Sequence, residues 1–160
     1  VFKHILLPTD GSPAAESAID ACLRFARQTG AGVAAVHVMP VLHIFTYEPG
    51  VTESAHEQVK KERELHSHKY LEAVAQRAAA AGVPCTTMLV TSDDPFEAII
   101  ETARTLNCDL IAMASHGRKG IRGLLLGSET QKVLTHSAIP VLVFPSAATG
   151  AAGAPVPFLS

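Results

Sequence analysis

A chain of 160 residues with 13 Lys and Arg against 15 Asp and Glu carries a formal charge of −2, so no global field draws it to nucleic acid or an anionic membrane. A hydrophobic share of 48% with few aromatics and no Trp suits one domain of packed α/β layers with a sizeable core. Cys22, Cys85 and Cys108, odd in number and widely spaced, argue against a disulfide framework and read as buried thiols of a reducing compartment. No apolar run reaches membrane-spanning length and the chain starts directly on a strand pattern, so a cytoplasmic protein is expected.

Residues 2–7 form a short apolar strand pattern ended by Pro8. The turn Thr9-Asp10-Gly11-Ser12 leads into a helix with Ser12 as cap and Pro13 in the first position. Ala15, Ala18, Ile19, Cys22, Phe25 and Ala26 give that helix one apolar face, and Gly30 stops it. Residues 32–38 are almost continuously apolar, the pattern of a strand covered on both faces. His37 within it reads as a hydrogen-bonded core histidine rather than a metal ligand.

A loop over residues 39–51 precedes a long polar helix from Thr52 to Ala81, closed by Gly82. His56, His66 and His68 lie on it, and the one-face spacing that metal pairs prefer is absent from His66 and His68, so a solvated face is expected. The third strand spans residues 84–90. Asp94-Pro95-Phe96-Glu97 then reads as a capping box before a helix with Phe96, Ile99, Ile100 and Ala103 inward.

Residues 109–114 make a fourth strand, followed by a glycine- and cation-rich stretch containing Gly117, Arg118, Lys119, Gly120, Arg122 and Gly123. Gly127-Ser128-Glu129 opens the next helix, with Ser128 as the expected N-cap. Strand, basic loop and helix start together suit an anion, because backbone N–H groups and the helix dipole both favour phosphate. An ordinary surface loop using its glycines for turns is the alternative. The helix ends near His136-Ser137, residues 139–144 form a fifth strand, and from Ser146 onward an Ala, Gly and Pro composition reads as a mobile tail.

Strands alternating with helices predict an α/β fold, an open five-stranded parallel sheet with helices on both faces. Ligands of such sheets sit beyond the carboxyl ends of the strands, which gathers Pro8-Thr9-Asp10, Val38-Met39 and residues 113–117 around one crevice. Asp10 there can accept from a ribose or base, or close an Asx-turn onto its own backbone, or do both.

These segments resemble the universal stress protein family. The match rests on Pro8-Thr9-Asp10-Gly11-Ser12, His37-Val38, Ala114-x2-Gly117-x9-Gly127-Ser128 and Pro140-Val141-Leu142-Val143, in that order. The family's nucleotide-binding branch carries Gly-x2-Gly-x9-Gly-Ser/Thr, and Ala114 stands here at the first glycine, adding one methyl near the expected ligand. The resemblance implies a Rossmann-like sheet of the adenine nucleotide alpha hydrolase-like kind, with strand order 3-2-1-4-5. It implies an ATP, ADP or AMP pocket. In it Pro8, Thr9, Asp10 and Val38 surround adenine and ribose, Met113, Ala114, His116, Gly117 and Arg118 line the loop, and Gly127, Ser128, Glu129 and Thr130 hold phosphates. It further implies a homodimer through the Val141–Phe144 strand, which is apolar and last in the chain. No P-loop lysine motif is present. A regulatory binding module is therefore expected, with a weak Mg-dependent ATP hydrolase and a dimeric module without ligand as alternatives.

Overall fold

The computed structural model describes residues 1–43, 50, 52–116 and 126–145. Among the described residues nine elements follow in chain order: β1 (His4–Pro8), α1 (Pro13–Thr29), β2 (Gly32–Met39), α2 (Glu53–Ala81), β3 (Cys85–Thr91), α3 (Pro95–Thr105), β4 (Leu110–Ala114), α4 (Ser128–His136) and β5 (Val141–Phe144). The strands form one parallel sheet in the order β3-β2-β1-β4-β5. Fold class and strand order are those the resemblance implied. The expected tail beyond Ser146 lies outside the described residues.

Burial along the strands follows their place in the sheet. Ile5, Leu6 and Leu7 of β1, between β2 and β4, are fully buried, whereas β3 and β5 at the two edges are only partly covered. On one face Ile5, Leu7, Val33 and Ala35 pack against Ile19, Cys22, Leu23 and Ala26 of α1 and Leu71, Val74 and Ala78 of α2. On the other, Leu6, Ala34, Val36 and Ile111 meet Ile99, Ile100 and Ala103 of α3 and Val133 of α4. The first two crossovers thus cover one face and the last two the other. The winding reverses between β1 and β4, where a crevice opens at the carboxyl ends.

Helix ends follow local chemistry, with two departures from expectation. Ser12 Oγ accepts from Ala15 N–H at 3.2 Å, and Gly30 closes α1 in the left-handed conformation, as the sequence predicts. The box before α3 does not form. Asp94 occupies the N-cap position, but its φ of −113° and ψ of 81° make no side-chain cap, and its own N–H donates to Ser92 Oγ at 3.1 Å. Nor is Ser128 a cap, because it is already the first helical residue and Gly127 stands at the N-cap. Of the cysteines, Cys22 and Cys108 are buried and Cys85 on edge strand β3 is half-buried. Burial pushes the Cys22 thiol up to about 12 and Cys108 up to about 11, with smaller contributions from Cys85 and Asp109 respectively.

Asp109 ties the starts of two neighbouring strands together. Its carboxylate accepts from Lys3 N–H at 2.9 Å and His4 N–H at 3.0 Å, one residue ahead of β4. Burial pushes this carboxyl up, but the backbone donors and the nearby His4 together outweigh it and hold it below 3.8. A depressed folded-state value means the contribution is complete above the ordinary aspartate range and is lost as pH falls through the lower folded value. Asp109→Asn is therefore expected to lower stability at pH 7. In urea unfolding the gap to wild type should narrow as pH drops below 3.8. A gap that stayed constant into acid would mean the charge contributes nothing.

Candidate functional site

The site begins where β1 ends. Thr9 N–H donates to Val36 O at 2.8 Å, so the exit of β1 is held against β2. Asp10 Oδ1 accepts from Ser12 N–H at 2.9 Å, the Asx-turn foreseen for this residue. Gly11 between them has φ +73°, and a Cβ built there would lie 2.5 Å from the Tyr70 ring of α2. His37, half-buried on β2, bonds Thr9 O through Nδ1 at 2.7 Å and meets the Tyr70 ring edge-on at 5.5 Å between centroids. Helix α2, strand β2 and the β1 exit are thereby locked together. The hydrogen-bonded reading of His37 holds, with a face toward the crevice added to it.

The opposite side is built by β4 and α4. Thr130 Oγ1 donates to Ala114 O at 2.8 Å, and Gly127 N–H donates to Ser115 O at 2.6 Å, drawing the start of α4 onto the end of β4. Gly127 has φ −68° and ψ 157° and offers no side-chain acceptor, so the N-cap residue of α4 supplies no side-chain cap to the first-turn N–H groups. Such a terminus has room and polarity for an anion. Beside it Glu129 Oε1 meets Lys132 Nζ at 3.3 Å, while buried Oε2 has no hydrogen-bond partner among the described residues.

These two sides enclose a cleft of about 740 Å³. Pro8, Thr9 and Asp10 line it from β1 and Val38 from β2. Met113 and Ala114 line it from β4 with His116 just beyond, and Ser128, Glu129 and Thr130 from α4 with Gly127 at its N-cap. Every described residue that the resemblance pointed to thus faces one space. Gly117 and Arg118 lie outside the described residues.

Sequence reasoning missed the wall contributed by α2. Arg63, His66, Ser67 and Tyr70 line the cleft, and Arg63 Nη2 donates to Pro40 O at 2.8 Å just beyond β2. His66 is solvent-exposed, as expected, yet it also borders the cleft. The signal that could have found this wall is the i, i+3, i+4, i+7 spacing of the four residues, which places them on one helix face. Among the described residues no group of three or more His, Cys, Asp or Glu side chains could hold a metal ion, and no helix is long and apolar enough to cross a membrane.

Comparison with known proteins agrees with this geometry. Residues 2–145 match the model of the Universal stress protein family. A universal stress protein of Thermus aquaticus is 31% identical, covering 89% of this chain and 98% of its own length. The solved structure of protein MJ0577, whose name is shared by a universal stress protein of Methanocaldococcus jannaschii, superposes with a TM-score of 0.73 at 28% identity, over 89% of this chain and 95% of its own. A universal stress protein solved in complex with cAMP shares the fold at 24% identity, with a TM-score of 0.62 over 90% of this chain and 96% of its own. Motif order, sheet topology and whole-length matches converge, and the chain belongs to the universal stress protein family.

Proposed function

We propose that this protein binds an adenine nucleotide (ATP, ADP or AMP) in the cleft at the carboxyl ends of β1, β2 and β4 and works as a regulatory binding module of the stress response. The carrying observation is the convergence of the β1 exit and the start of α4, whose N-cap is a glycine, on one cleft. Phosphates would lie against the N–H groups after Gly127, where the helix dipole favours negative charge. The nucleoside would lie toward Thr9, Asp10 and Val38. A protein of the same fold solved with cAMP supports the ligand class.

Glu129 repels phosphate by itself, and its buried Oε2, without a hydrogen-bond partner among the described residues, fits a role toward a cation. Mg²⁺ is commonly held by one or two carboxylates together with substrate phosphates, so Glu129 and the ligand would hold it jointly. Mass spectrometry of nucleotide released from the denatured protein, with equilibrium dialysis against ATP, AMP and GTP, tests this reading. Adenine nucleotides should bind in the micromolar range or tighter. Failure of both ATP and AMP to bind, whatever GTP does, overturns it.

The same reading includes a homodimer through β5. This strand, Val141-Leu142-Val143-Phe144, lies at the sheet edge, is half-buried along its length and carries no charged residue. Two copies meeting antiparallel would pair these edges. Val143→Lys should then shift the protein toward monomer in light scattering across a dilution series. A dimer indifferent to the change would place the interface elsewhere.

A further inference from the structure

The later turns of α1 and α2 lie side by side on one face of the sheet, with a groove of about 350 Å³ between them. Helices that cross between parallel strands run back toward the strands' amino ends. The groove therefore lies at the opposite end of the fold from the cleft. Leu23, buried, and Ala81, partly buried, give its lining an apolar part. The rest is mostly cationic: Arg24 and Arg27 of α1 are exposed, and Arg77 of α2 is half-buried.

The donors of these three side chains are largely unused. Neither Arg24 nor Arg27 has an ion pair or a side-chain hydrogen bond among the described residues. Arg77 stands 3.5 Å from Asp20 Oδ1 and 3.8 Å from Glu16 Oε2, ion pairs rather than hydrogen bonds, and its buried Nη1 has no hydrogen-bond partner among the described residues. Asp20 is the one acidic residue lining the groove among the described residues. Arg24 and Arg27, three apart on one helix, also repel each other. The dipole at the end of α1 accounts for Arg27 in the last turn, but not for Arg24 or Arg77.

We propose that this groove is a second anion site, in which Arg24, Arg27 and Arg77 bind a phosphate monoester, free or carried on a protein segment. Guanidinium groups present rigid forks of N–H donors that match phosphate oxygens. A planar carboxylate engages one such fork fully, whereas a phosphate has three terminal oxygens and nearly two charges to share between forks from two helices. Asp20 and Glu16 hold the Arg77 fork in place without consuming its donors.

The experiment is a ¹⁵N NMR titration of the full chain with inorganic phosphate, with a blocked Gly-Ala-phosphoserine-Ala-Gly peptide, and with the same peptide unphosphorylated. Phosphate or phosphopeptide should shift amides of residues 20–27 and 77–81 saturably, with Kd of about 1 mM or tighter, and the unphosphorylated peptide should not. Tighter binding of the phosphopeptide than of phosphate identifies a protein-borne ligand, and equal binding a free one. Arg24→Gln and Arg27→Gln, at exposed helix positions, should each weaken binding by about tenfold and leave urea stability unchanged. Arg77→Lys keeps the charge, loses the fork and should weaken binding similarly. Shifts confined to residues 128–130, an equal response to the unphosphorylated peptide, or affinity unchanged in all three variants overturns the proposal. Each of those outcomes leaves the nucleotide reading of the cleft standing.

Discussion

Gly127→Val is expected to weaken nucleotide binding by about 100-fold or more, roughly 2.7 kcal/mol, while leaving the fold close to wild-type stability. The two outcomes separate because of the backbone at this position. Gly127 has φ −68° and ψ 157°, extended values that a β-branched residue adopts without strain. Its N–H bond to Ser115 O survives the substitution. What changes is the space in front of the first turn of α4, where a phosphate would need to approach the backbone closely. Isothermal titration gives the affinity and urea unfolding the stability. Unchanged affinity would remove the start of α4 from the site.

Gly11→Ala is expected to act in the opposite sense, first on the fold and through it on the cleft. A side chain there meets two penalties. The left-handed φ of +73° disfavours any residue with a Cβ, by about 1 kcal/mol. The new methyl would also lie 2.5 Å from Tyr70 Cε1 and 2.6 Å from Cζ, so the ring or the turn must move. Overpacking of this kind costs about 1–3 kcal/mol, giving roughly 2–4 kcal/mol together. Tyr70→Leu combined with Gly11→Ala should recover the packing part and leave the backbone part, a coupling that a double-mutant cycle in urea unfolding measures. Purely additive effects would show that Tyr70 and Gly11 do not press on each other.

Most of the scaffold could be read from residue pattern because burial on both faces leaves little choice of residue. β1 and β2 are nearly uninterrupted apolar runs, and helix ends marked by Ser12, Pro13, Gly30 and Gly82 behave as their backbone chemistry dictates. The capping failures were less legible because they turn on a competition. Asp94 and Ser128 are both good cap residues by type, but Ser92 takes up the Asp94 N–H, and the Gly127–Ser115 bond starts α4 one residue earlier than a Ser128 cap would. The β1 and β4 parts of the cleft were visible in the short motifs after those strands. The α2 wall was not, since Arg63, His66 and Ser67 on a polar helix look like solvated residues until the topology brings their face over the end of β2.

Helix α2 runs for 29 residues, yet its buried positions are Ser67, Leu71, Val74 and Ala78, all in the second half. A helix of roughly 43 Å is therefore anchored along only part of its length, and its first turns rely on propagation from the anchored end. Local opening there costs far less than global unfolding, so amide hydrogens of residues 53–66 should exchange faster than those of residues 71–81. Arg63 and His66 belong to this weakly held half, whereas Tyr70 sits where the anchored half begins. One wall of the cleft is thus drawn from a weakly anchored half-helix, and a ligand spanning both sides would register as slowed exchange there.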